Sequence, residues 1–166
     1  PGNHDAPYLQ WAARVFTPFA RFERLIGPAS SQCFQGERLA VCGVNTARGA
    51  QPRLNWSKGQ ISRGQARSAL ATLAEAAGLR VVVCHHPLIE MIGGPMTARV
   101  WGGERAARRF AEGGVDLVLS GHIHAPIAWS YPYADVADDQ VRVTAQGWTG
   151  GRYEPWRTWA LDRRRS

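Results

Sequence analysis

The sequence predicts an α/β domain built on a parallel sheet. Three observations carry this. Apolar runs of strand length recur at 38–45, 79–84 and 115–120, stretches with helical spacing of apolar residues separate them, and glycine or proline stands at most of the junctions. A strand, a crossover helix and a second strand in succession pair in parallel, because a tight turn cannot bring the chain back to run in its original direction. With 166 residues, 45% of them hydrophobic, the chain suffices for a single domain over 1–166 with one sizeable core.

Along the chain, Leu9, Ala12, Ala13, Phe16, Phe19 and Phe22 recur at intervals of three and four, so residues 8–26 are read as helical pieces, interrupted at Pro18 and ended near Gly27 and Pro28. Residues 38–45 read as a buried strand, followed by a long loop to Gly59. Ile61, Ala66, Ala69, Leu70, Leu73, Ala74 and Ala77 mark one face of a helix over 61–77, with Ser62 as N-cap and Gly78 as stop. The strand at 79–84 runs into His85-His86-Pro87, where proline ends any ladder. Gly93-Gly94-Pro95 is a bend expected near substrate. A helix over 104–112 stops at Gly113-Gly114 and hands over to a strand at 115–120. The last part changes character: 127–131, 140–145 and 156–161 predict antiparallel strands, and the charged end, 162–166, is expected to fray.

Composition narrows the function. No apolar stretch approaches the roughly 20 residues of a membrane helix. Cys33, Cys42 and Cys84 are odd in number and form no CxxC pair, which predicts no disulfide framework and a reducing, cytoplasmic location. The net charge of +7 would attract polyanions, and Trp148, Tyr153 and Trp156 could stack on bases, so a nucleic-acid-binding module is the competing reading. Against it, the basic residues are scattered along an Ala- and Arg-rich chain. The loop at 47–59, with Arg48, Arg53, Asn55, Trp56 and Lys58, could cap a pocket and contact phosphate, although a solvated connection is its plainer role.

The five histidines fall in three short clusters: Asn3-His4-Asp5, His85-His86-Pro87 and Gly121-His122-Ile123-His124. Two clusters directly follow buried-looking strands, at the strand ends where α/β sheets place ligand sites. Each cluster alone has an ordinary explanation as a turn or a hydrogen-bonded loop, but three together, with no histidine elsewhere, point to a shared metal site. Imidazoles with an amide oxygen suit Mn, Fe or Zn. In an extended segment residues i and i+2 face the same side, so a strand-like stretch would let His122 and His124 serve one site. Cys84 reads as a small buried hydrophobe rather than a nucleophile.

These three blocks, in this order and at these separations, resemble the last three signature blocks of the calcineurin-like metallophosphoesterases, and the likeness covers residues 1 to about 151. The resemblance implies a metallophosphoesterase-type β-sandwich flanked by helices, an αββα arrangement, with its N-terminal strands missing from this chain. It implies that Asn3, His85 and His122 ligate one metal and His124 the other. It implies that His4 faces the scissile phosphate as general acid or electrostatic partner, with Asp5 holding its ring, while His86 has either an outer supporting place or a substrate contact. The activity implied is hydrolysis of a phosphate mono- or diester on a small phosphorylated substrate, with a wording similar to that of bacterial cyclic-nucleotide phosphodiesterases and related small phosphohydrolases. Members also carry Asp-x-His and Gly-Asp blocks upstream, which this sequence lacks. The expectation is therefore a C-terminal part of a longer enzyme, inactive alone, that binds at most one ion weakly where the whole protein binds two. A non-catalytic relative is the remaining alternative.

Overall fold

The computed structural model describes residues 1–90, 100–123 and 139–163, and the chain divides into two compact units, Pro1–Ile123 and His124–Ser166. In the first unit the helical region splits around Pro18 into α1 (Trp11–Phe16) and α2 (Ala20–Leu25). The apolar residues of this region are largely outside the core: Leu9, ahead of α1, is 96% exposed, Phe16 is 77% exposed, and α2 has no buried residue. The anchor is polar instead. Arg14 is buried, donates from Nε to the Gly49 carbonyl at 2.9 Å and from Nη1 to the Pro7 carbonyl at 3.0 Å, and sits over the rings of Tyr8 and Trp56. A charge taken out of water is tolerated only when such partners replace its hydration.

Four strands follow: β1 (Gln32–Gln35), β2 (Leu39–Val44), β3 (Leu79–Cys84) and β4 (Leu117–Ser120), adjacent in that order. The pairs β2–β3 and β3–β4 are parallel, as expected, and their crossovers are α3 (Arg63–Ala74) and α4 (Gly103–Glu112). Ser62 caps α3 as read from the sequence: its Oγ accepts from Gln65 N at 3.1 Å, while Gln65 Oε1 accepts from Ser62 N at 3.0 Å. Ala66, Ala69 and Leu73 are buried at helical spacing, against Ala40, Cys42 and Val44, which alternate along β2. Val82, Ala106 and Phe110 complete this core.

Strand β1 has no counterpart in the sequence reading. It pairs antiparallel with β2, and its Cys33 lies directly opposite Cys42 with Cα atoms 4.1 Å apart. The two form a disulfide, so the expectation of unpaired thiols is corrected and the argument for a reducing compartment loses its basis. Cys84 is free and buried, as expected. Burial pushes its thiol up to about 12, because a thiolate there would lose its hydration. Native protein should therefore show no alkylation of Cys84 by iodoacetamide at neutral pH, whereas unfolding in guanidinium should expose it fully, as mass spectrometry would show.

In the second unit β5 (Asp139–Trp148) pairs antiparallel with β6 (Tyr153–Arg163). Both are longer than expected, and Asp162 and Arg163, read as part of a frayed tail, pair with Gln140 and Asp139. Trp156 is 58% exposed. The strand expected at 127–131 and the bend at Gly93-Gly94-Pro95 lie outside the described residues. Among the described residues no helix is long and apolar enough to cross a membrane.

Candidate metal centre

The C-terminal ends of β3 and β4 bring two histidine clusters together, and the first turn of the chain adds the third. His85 directly follows β3, and His122 lies two residues beyond β4, tied to it by Gly121 N donating to the His85 carbonyl at 3.0 Å. Asn3 is buried in a short 3₁₀ turn, Asn3–Asp5. Gly2 lets that turn reach the site, because a Cβ there would lie 2.7 Å from the His85 ring.

Three side-chain atoms converge. Asn3 Oδ1 is 2.8 Å from His85 Nε2 and 3.2 Å from His122 Nδ1, and the two nitrogens are 3.2 Å apart. Hydrogen bonding leaves one edge of this triangle without a proton. Each atom faces the other two as either donor or acceptor, and three atoms in a ring cannot alternate, so one edge always sets like against like. A cation receiving all three lone pairs removes the conflict. The edges also have the right length, since metal–ligand bonds of roughly 2.1 Å at right angles place neighbouring ligand atoms about 3 Å apart. Burial, then the neighbouring His122, pushes the His85 imidazole below its usual value, which keeps it in the neutral, ligating form.

His122 has φ +67, and Ile123 N donates to the Gly121 carbonyl at 2.8 Å, so the residue sits at the centre of a γ-turn of the strained sense. The extended stretch invoked for His122 and His124 is therefore corrected at His122. His124 itself lies outside the described residues. A β-region assumption missed the turn because a left-handed histidine is locally unfavourable.

His4 is exposed beside the triangle, and its Nδ1 lies 3.3 Å from the Tyr8 hydroxyl. The expected Asp5–His4 contact is not formed. Asp5 Oδ2 instead accepts from Gly2 N at 2.7 Å, bracing the turn that carries Asn3. Tyr8 is the partner that sequence reasoning missed, since residues 6–10 form no regular element that would signal the contact.

His86 is 2% exposed and close to both ligand candidates, with the nitrogens of His85, His86 and His122 within 4.8 Å of one another. Burial pushes its imidazole down to about 4. The loop before α3 wraps this ring, but its arginines are committed internally. Arg48 donates to the carbonyls of Asn45 and Ala47, and Arg53 to Gly59 O at 2.7 Å and Gln51 Oε1, while stacking on Trp101. The loop closes on the fold rather than presenting a phosphate-binding patch.

Against known proteins, the family model Calcineurin-like phosphoesterase matches residues 1–126, a span that includes Asn3, His85 and His122. No curated protein and no solved structure matches.

Proposed function

The chain belongs to the calcineurin-like phosphoesterase family, whose members hydrolyse phosphoesters in a metal-dependent way, and we propose that Asn3, His85 and His122 hold one divalent cation for that chemistry here. The observation that carries this reading is the convergence of three lone-pair atoms, with edges of 2.8, 3.2 and 3.2 Å, of which a shared proton can bridge only two. A bound divalent cation supplies positive charge that withdraws electrons from a phosphoryl group and acidifies water. His4, exposed at the rim, delivers a proton to the departing oxygen, and Tyr8 orients its ring. The substrate is a small phosphate ester, mono- or diester. By the resemblance, His124 belongs to a second ion, so the triangle by itself is assigned a single ion.

The polyanion-binding alternative draws less support, because Arg14, Arg48, Arg53 and Arg80 all donate to backbone carbonyls within the fold. The deciding experiment is Mn-dependent hydrolysis of bis(p-nitrophenyl) phosphate, by protein expressed with whatever coding sequence precedes Pro1 in frame. Turnover should disappear on chelation, return with Mn, and fall with Asn3→Ala. Turnover indifferent to chelator, or salt-sensitive single-strand binding without any metal, would defeat the assignment.

A further inference from the structure

His86 stands where a third imidazole ligand could stand, yet its hydrogen bonds leave no room for that role. Nε2 lies 2.8 Å from the Ser57 carbonyl oxygen, which can only accept, so Nε2 carries the proton. Nδ1 then keeps its lone pair and accepts from the Thr46 hydroxyl at 2.9 Å. The same hydroxyl oxygen accepts from the backbone N–H of His86 at 3.1 Å. Every donor and acceptor of Thr46 and His86 in this exchange is matched. Coordination through Nε2 would strip an imidazole N–H, and coordination through Nδ1 would evict a hydroxyl buried with it.

The ring instead acts as a wedge. Its centroid lies 4.8 Å from that of His85, edge to face, and 4.6 Å from that of His122. Behind it the loop is closed by Gln60 N donating to the Thr46 carbonyl at 2.8 Å. Gly59 is packed so tightly that a Cβ there would stand 2.5 Å from His86 Cγ. Loop, ring and both ligand candidates thus form one contiguous packing unit.

We propose that His86 is a positioning residue, a neutral Nε2–H imidazole locked by Thr46 and Ser57, that fixes the orientation of His85 and His122 and never touches the ion. This rests on the metal reading of those two residues. Outer groups that orient ligands typically contribute about 10–100-fold to metal affinity, so the loop should control affinity without supplying a ligand.

The test is a long-range ¹H–¹⁵N spectrum of the imidazoles before and after one equivalent of Zn²⁺, with zinc affinities of Thr46→Val, Thr46→Ser and Gly59→Ala. His86 should show a protonated Nε2 and an unprotonated Nδ1 in both states, while His85 Nε2 and His122 Nδ1 shift. Thr46→Val should weaken zinc binding about 10–100-fold with the stoichiometry unchanged, Gly59→Ala should weaken it likewise by displacing the ring, and Thr46→Ser should restore it. A zinc-induced shift at His86, or Thr46→Val binding as tightly as wild type, overturns this inference while leaving the metal site standing. If no zinc is taken up at all, the metal reading falls and the positioning role falls with it.

Discussion

Alanine at His122 should leave the site without measurable uptake of a divalent cation and lower phosphoester turnover by more than about 100-fold, a larger loss than outer-shell changes produce. His122 Nδ1 closes two of the three edges of the donor triangle, at 3.2 Å each. Without it, Asn3 Oδ1 and His85 Nε2 remain 2.8 Å apart and form an ordinary hydrogen bond, with nothing left to demand a cation. The variant should therefore be as stable as metal-free wild type by thermal unfolding, which separates loss of function from loss of fold. His122→Gly adds a second reading. The native φ of +67 is strained for any residue with a Cβ, so glycine should be more stable than alanine by about 1 kcal/mol while binding metal no better. Calorimetric titration with Mn or Zn gives the affinities. Uptake of one equivalent at wild-type affinity by His122→Ala would remove His122 from the site.

The residues that meet at this site were legible in the sequence for a chemical reason. Imidazole side chains stand out in a sequence with so few of them, and Pro87 and Gly121 mark locally the strand ends that carry His85 and His122. What could not be read depends on contacts distant in the chain. The partners of His86 lie 40 and 29 residues away, at Thr46 and Ser57, so its role stayed open between outer support and substrate contact. Arg14 is anchored by the Gly49 carbonyl, 35 residues on, and a search for apolar periodicity passes over a buried arginine. Strand β1, Gln-Cys-Phe-Gln, is exposed along its whole length and shows no buried alternation; its pairing is set by the neighbouring β2 and the Cys33–Cys42 link rather than by its own pattern. By contrast, α3 carries its cap and its buried face within one local stretch, so its start at Arg63 after Ser62 was readable, whereas its end falls at Ala74 rather than at the glycine expected to stop it.

Phe110→Ala should cost about 3–5 kcal/mol, the usual range for removing a fully buried phenyl ring, and lower the melting temperature by on the order of 10 °C. The reason lies in the composition of the core. Its buried members include Ala40, Ala66, Ala69, Ala76 and Ala106, which contribute little volume each, and Phe110 and Leu73 are the largest fully buried side chains of the described residues. A truncation at 1% exposure leaves a cavity that small, backbone-fixed alanines cannot collapse into. The effect reaches the site as well, because the Phe110 carbonyl accepts from Val115 N at 2.9 Å, where α4 turns towards β4 and then His122. Loosening that turn should lower metal affinity along with stability. Trp11→Ala is the control: it removes a larger apolar side chain, but one 72% exposed, and should change stability by less than about 0.5 kcal/mol. Urea unfolding of both variants checks the pair. Equal losses would mean that α1 packs on the fold as the apolar spacing first suggested, and a Phe110→Ala cost below about 1 kcal/mol would mean that α4 does not close the core on which β3 and β4 hold the two imidazoles.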